Sequence, residues 1–310
     1  MSDISVVKNV SLKDFCTYKI GGVAKKVVRV GDVEGLRRVM GLDGKKVIIG
    51  RGSKVLFSDE GFDGVVVVMG GERLKFFSEN DAVFTSFDTH NMMKNIDSMI
   101  YNMDFFGVYA ESGVFLPKLG RECLKRGLSG LEWMVGIPGS IGGAVWMNAG
   151  AHGGDMASVI EWVEIFRDGE VVRVPGEECG FGYRRSRFVD GDIVLGACFR
   201  LAEGDKGDIE MKMAEYVKKR KTAQPAGRSC GSVFKAVRLE GGVVPAWELI
   251  DNCGLKRVKI GGAEISGKHA NFIMNVKNAK AEDVRALIRL IKAEVYLKYG
   301  IKLEEEIVFM

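Results

Sequence analysis

GLSGLEWMVGIPGSIGGAVWMNAGAHGG, residues 127–154, holds nine glycines beside Trp133, Ile137, Ile141, Val145 and Trp146. Flexible linkers lack large apolar side chains, and core segments avoid glycine because its unfolded chain has more freedom to lose. The combination describes an embedded, rigid loop whose main chain is approached closely. Gly136, Gly139, Gly142 and Gly143 surround Ser140. Amides without side chains in their way can converge on one anion, as in a backbone nest, with the Ser140 hydroxyl and the Asn148 amide as further donors. The same spacing also describes a cluster of tight turns within a sheet.

Two other stretches invite a phosphate reading. GRGSKVLF, residues 50–57, follows the β-branched run KKVIIG and opens with Gly50-x-Gly52. A dinucleotide fingerprint then needs glycine where Val55 stands, so the match fails. GAEISGKH, residues 262–269, aligns with a P-loop at Gly262, Gly267 and Lys268, but His269 replaces the magnesium-binding hydroxyl. Two glycine-bordered loops that are neither Rossmann nor P-loop point to a bulky dinucleotide held by another fold.

The whole chain narrows the classes. Its 310 residues are long enough for about two domains. Glycine is in excess, 41 residues, and proline is scarce at 5, which suits many tight turns plus main-chain contact with a ligand. The net charge of +4 falls short of a nucleic-acid binder. Cys16, Cys123, Cys179, Cys198, Cys230 and Cys253 are scattered, and His90, His152 and His269 are isolated, so no metal site is expected. The N-terminus lacks an apolar leader core and no stretch has membrane-spanning length, which reads as a cytoplasmic chain with reduced thiols. Nothing in the sequence points to a protein partner.

Apolar spacing sets the elements. KKVVRV and KKVIIG flank a helical pattern at Val33, Leu36, Val39 and Met40, and GVVVVMG reads as a buried strand. Met92, Met93, Ile96, Met99 and Ile100 fit one helix face. LPKLGRECLKRGL is an amphipathic helix leading into the glycine-rich loop, and residues 159–175 form a hairpin around Asp168-Gly169. Helical spacing resumes at Met211, Ala214 and Val217. A long helix with Val284, Leu287, Ile288, Ile291, Val295 and Tyr299 on one face ends at Gly300. Strands and helices do not alternate regularly, so the class is α+β.

At this point the motifs carry a resemblance. YKIGG after Thr17, GRGSKVLFSDEGFDGVVV, the loop 127–154, FGYRRSRF, QPAGRSCGSVFK, LKRVKIGGAEISGKHANFIMN and the terminal LEEEIVF stand in the order seen in the UDP-N-acetylenolpyruvoylglucosamine reductases, the MurB family. The resemblance implies a two-lobed FAD-binding domain of the vanillyl-alcohol-oxidase type and a C-terminal α+β substrate domain. The first lobe is expected at 1–72, joined by 301–310, the second at 73–202, and the substrate domain at 203–300.

The implied reaction passes hydride from NADPH through FAD to the enolpyruvyl C3 of UDP-N-acetylglucosamine enolpyruvate, giving UDP-N-acetylmuramate for peptidoglycan. The resemblance assigns Ser232 as proton donor to C2, and Arg184 and Glu306 as stabilisers of the enolate. It assigns FAD to Gly50, Gly52, Ser53, Lys54, Leu56, Gly113, Gly136, Pro138, Gly139, Ser140, Gly142, Gly143, Asn148, Ala149 and Gly150. Tyr183, Arg220, Lys221, Arg228 and Lys235 are the substrate candidates. The chain looks like the shorter type, without an insertion between FGYR and the serine motif. It departs from the family pattern at Lys54 (usually Asn), at Glu111 and Ser112 (in a Gly-Ala-Gly run), at Ala236 (usually Asn) and at Val308 (usually Arg). A drifted nucleotide binder and a flavin oxidase of the same superfamily are the alternatives.

Overall fold

The computed structural model describes residues 4–78, 82–83, 101–102, 105–188 and 191–310. The methionine-rich face at residues 92–100 lies outside them. Two compact units divide the chain: residues 1–6, 27–50 and 66–218 form one, and residues 7–26, 51–65 and 219–310 the other. A four-stranded sheet orders Ile4–Ser11, Val23–Val30, Phe62–Met69 and Lys46–Ile49.

The first unit is organised by the Asp168-Gly169 turn. Both residues have positive φ, 51° and 87°, the two-residue turn whose twist matches flanking strands. It joins strands Ile160–Arg167 and Glu170–Pro175, and the antiparallel sheet continues through Ile193–Glu203, Phe106–Glu111 and Leu74–Phe77. Ile193–Glu203 is the long central strand, and its first seven residues are buried. Helix Leu116–Arg126 begins with Pro117 in its first turn and stops at Gly127, whose φ of 68° needs no Cβ. Leu116, Leu119 and Cys123 on this helix, with Trp133, Met134, Ile141 and Val145 from the glycine-rich loop, join Val108, Val163 and Ile165 in one core. The loop is therefore anchored by its apolar residues, as its composition suggests, except that Trp146 is exposed.

Helix Lys206–Ala223 forms where the helical spacing predicts one, and Val217 packs against its buried cluster. Ile209 and Met213 are buried against Val135, while Met211 is 64% exposed. The helix carries charge all round, so its apolar period is too weak to fix the face.

In the second unit, helix Ala281–Tyr299 lies against a three-stranded sheet of Lys259–Ile260, Ala263–Ile265 and Ile273–Asn275. Val284, Leu287, Ile288, Ile291 and Val295 are buried as their spacing predicts, and Gly300 ends the helix at φ 70°. Tyr299, expected on that face, is more than one-third exposed at the helix end. GAEISGKH forms a strand and a turn in which Ser266 Oγ accepts from the amides of Lys268 and His269. The P-loop reading is thereby excluded. The last strand, Val308–Phe309, pairs in parallel with Val55–Leu56.

All six cysteines are free. Burial raises their thiols, Cys123 and Cys179 to about 12, so these two serve packing rather than thiolate chemistry.

Asp59 closes the start of the long helix. Its carboxylate accepts from the amides of Ala281 at 2.8 Å and Glu282 at 3.1 Å, two of the four groups that lack a partner inside any helix. Asp59→Ala should lower unfolding free energy by about 1 kcal/mol, with Asp59→Asn recovering part of it. Urea denaturation of the three proteins measures this.

Candidate flavin and substrate site

The glycines in and around the two glycine-bordered loops are of two kinds. Several are closed by the protein itself, by main chain or by a side chain. A Cβ on Gly113 would sit 2.6 Å from Gly71 O, one on Gly142 would sit 2.9 Å from Ser112 Cβ, and one on Gly52 would overlap Phe15 O. Gly150 is closed by Gly154 O and Asp155. The amides of Ile141 and Gly142 are already bonded to Val114 O and Ser112 O. The nest of converging free amides expected around Ser140 is thus partly spent inside the protein.

What remains centres on Ser140. Its side chain is buried, and Ser140 Oγ has no hydrogen-bond partner. A Cβ on Gly50 would fall on that oxygen, and a Cβ on Gly143 would meet only that oxygen, at 3.8 Å. A buried hydroxyl without a partner costs roughly 1–3 kcal/mol. The missing side chain at Gly50 leaves the space beside it clear, and an acceptor or donor from a bound dinucleotide is what this hydroxyl lacks. The residues fit FAD here. Gly136 and Pro138 are exposed next to this position, while Gly139 is buried and its carbonyl accepts from the Leu116 amide.

Asn148 and the FGYR segment also belong to the first unit. Asn148 Nδ2 donates to Gly182 O at 3.0 Å, and its Oδ1 accepts from the Ala157 amide. Gly182 and Arg185 exchange main-chain bonds around Tyr183 and Arg184, and Arg184 has φ 56°. Positive φ at the third position marks a type II turn, where Gly or Asn is normal. An arginine there is strained, and such strain concentrates at functional positions. Arg184 Nη2 donates to Gly150 O at 3.2 Å and its guanidinium lies 5.2 Å from the Tyr183 ring. Ala149, also assigned to FAD, is buried in the core. Glu111 is buried, but its charge is answered: Arg73 gives it both Nε and main-chain N, each at 2.7 Å.

The second unit assembles Ser232 and Glu306. Glu306 N donates to Val233 O at 2.7 Å and Lys235 N to Glu304 O at 2.9 Å, so the terminal segment runs beside the serine segment. Lys54 Nζ donates to Ser232 O at 2.8 Å and lies 2.7 Å from Glu306 Oε1. The ammonium of Lys54, the residue that stands where the family usually has Asn, thus lies on these two groups. Ser53 is half-buried and Leu56 fully buried.

Asn271 clamps the serine segment. Its Oδ1 accepts from Phe234 N and its Nδ2 donates to Phe234 O, both at 2.9 Å, while Val233 N donates to Asn271 O. Sequence reasoning assigned Asn271 no role. The signal was its place in KHANFIMN, where an Asn between apolar residues has to satisfy both ends of its amide internally. Among the substrate candidates, Lys235 pairs with Glu304, Arg228 and Lys221 are exposed, and Tyr183 is 41% exposed. Arg220 is half-buried, and burial alone depresses its pKa. Such a cation is poised for an anionic ligand. No group of three His, Cys, Asp or Glu among the described residues could hold a metal ion, and no helix among them is long and apolar enough to cross a membrane.

The family models match in two places: the FAD binding domain over residues 88–175, and the UDP-N-acetylenolpyruvoylglucosamine reductase C-terminal domain over residues 223–310. A VAO-type flavoprotein from Myceliophthora thermophila shares the fold, with TM-score 0.53 over 90% of this chain and 71% of that one at 10% identity. The chain is thus an FAD-binding flavoprotein of that fold class. The UDP-N-acetylenolpyruvoylglucosamine reductase of Halalkalibacterium halodurans is 38% identical over 96% of this chain and 92% of its own. That of Prochlorococcus marinus is 36% identical over 99% and 98%. The crystal structure of MurB from Thermus caldophilus superposes with TM-score 0.79 at 34% identity, covering 100% and 99% of the two chains. The chain belongs to the UDP-N-acetylenolpyruvoylglucosamine reductase family.

Two outcomes are expected. Ser140→Ala should leave the flavin-free fold as stable or slightly more stable, since it removes an unsatisfied group. It should weaken FAD binding by about tenfold, or 1.4 kcal/mol. Urea unfolding and flavin fluorescence titration report the two effects separately. His269 Nδ1 accepts from the Asn271 amide at 3.3 Å, which requires the neutral ring, and burial lowers its pKa below the ordinary value of about 6.5. The unfolded chain then binds the proton first. Stability should be complete above about pH 6.5 and fall as pH drops through the lowered folded value. Denaturation against pH should show this slope, and His269→Gln should flatten it.

Proposed function

We propose that this chain reduces UDP-N-acetylglucosamine enolpyruvate to UDP-N-acetylmuramate with NADPH, as an FAD-dependent cytoplasmic enzyme of peptidoglycan precursor synthesis. Full-length similarity to the reductases supports the substrate class. The observation that carries the chemistry is the junction of Ser232 and Glu306 on neighbouring segments of one unit. The proposed lobes, 1–72 with 301–310 and 73–202, grip FAD, and residues 203–300 receive the UDP-sugar.

Bound FAD supplies the hydride carrier between NADPH and the enolpyruvyl C3. Hydride arriving at C3 pushes the double-bond electrons onto C2 and its carboxylate. Arg184 carries the charge that stabilises this enolate through charge-assisted hydrogen bonds. Ser232 gives its hydroxyl proton to C2 and is reprotonated from solvent. Such general acid catalysis is worth about 10²–10⁴-fold. Glu306 polarises the site, and its buried carboxylate needs the cation that Lys54 provides. The strained turn at Arg184 favours a specific aim for that guanidinium over a surface role. Arg220, a half-buried cation, is the strongest of the substrate candidates for the diphosphate.

Ser232→Ala should slow flavin reoxidation by UDP-N-acetylglucosamine enolpyruvate by about 10²-fold or more, with a far smaller effect on flavin reduction by NADPH. Stopped-flow absorbance of the two half-reactions measures this. Equal slowing of both would remove Ser232 from the proton-donor role.

A further inference from the structure

We propose that Lys54 is a positioning residue of the active site, whose ammonium locks the Glu306 carboxylate to the main chain of Ser232. The inference rests on the roles given above to those two residues. A lysine has three N–H donors. Here one points to Ser232 O at 2.8 Å and another to Glu306 Oε1 at 2.7 Å. Both lengths are those of charge-assisted bonds.

Three features separate this pair from an ordinary surface bridge. The Glu306 side chain is 7% exposed and that of Lys54 22%, so salt and water screen the pair weakly. The neighbouring carboxylates have cations of their own: Glu304 pairs with Lys235 and Glu305 with Lys292. Glu304 is largely exposed, at 72%. Within the terminal triplet it is the Glu306 pair that reaches Ser232. The main chain also holds Lys54 in place, because Lys54 O accepts from Val308 N at 2.7 Å while Glu306 N donates to Val233 O. The ammonium therefore bridges two segments that are each already pinned.

Gly231 belongs to the same device. Its φ is 73°, and a Cβ there would face Lys54 Nζ at 3.7 Å. The glycine turns the chain just before Ser232, in a conformation that side chains disfavour, and lies next to the ammonium. Methionine at position 54 would keep the stem and remove the tie. Arginine would keep the charge but present a planar fork instead of a point charge.

Half-reaction kinetics on the flavin-loaded enzyme test the proposal with Lys54→Met and Lys54→Arg. Reoxidation by UDP-N-acetylglucosamine enolpyruvate should fall in Lys54→Met at least tenfold more than reduction by NADPH falls. Lys54→Arg should recover most of that asymmetric loss. A loss spread equally over both half-reactions, or no loss, overturns the positioning role. A wild-type enzyme that ignores this substrate would instead sink the functional reading, and the ion pair is then judged separately. Urea midpoints of the purified full-length Lys54→Met, Glu306→Gln and double variants should show a double-variant drop clearly smaller than the two single drops together. Strict additivity overturns the coupling. Should Lys54→Met fail to fold, recovery of folding in the double variant supports the tie, and failure of the double variant as well counts against it.

Discussion

The return of the C-terminus fixes the second unit. Val308–Phe309 pairs in parallel with Val55–Leu56, and two residues earlier Glu306 bonds its amide to Val233 O. One short terminal segment therefore registers the loop after Gly52 against the segment that bears Ser232. Parallel pairing between residues so distant in sequence closes a large loop, and its entropy has to be met by burial around the pair. Leu56, Phe57, Phe234 and Ile307 are all buried there. The ion pair of Lys54 with Glu306 is affordable only because these contacts already hold its two ends close together. Burying both charges would otherwise cost more than their attraction returns.

Much of this architecture was legible in the residues. The Asp168-Gly169 turn, the glycine stop at 300, and the apolar face from Val284 to Val295 each carry a local signal strong enough to survive packing. Helix Lys206–Ala223 shows the opposite case. Its charged residues surround the axis, so spacing alone chose Met211, while the core of the first unit selected Ile209 and Met213. Position in the tertiary structure, absent from any local window, decided that face.

The sequence proposes members of the site but not their wiring. Motif order named Ser232, Arg184 and Glu306, but the charge logic around them is a matter of pairs far apart in the chain. Lys54 reads as an uncompensated charge where the family has Asn, yet its ammonium is matched by Glu306 and Ser232 O. Glu111 looked like an intruding charge, yet Arg73 absorbs it with a side-chain and a main-chain donor. In both cases a charge that seems out of place in sequence is matched by a partner that only the fold brings near. Buried charges persist when so matched, and the match is what a linear pattern lacks.

The glycines in and around the two glycine-bordered loops divide by the same reasoning. Where a Cβ would strike main chain, as at Gly113, or a neighbouring side chain, as at Gly142, the glycine is explained by the protein itself and says nothing about a ligand. At Gly50 and Gly143 the nearest atom is a buried hydroxyl that has no partner of its own. Close-packed interiors seldom leave such a group without compensation from protein, water or a ligand. A loop built only for turns would satisfy Ser140 internally or replace it with alanine, which has better helix propensity and no polar atom to bury. Keeping a hydroxyl there, with Gly50 clearing the space beside it, is the arrangement expected when part of the hydrogen-bonding complement arrives with the cofactor.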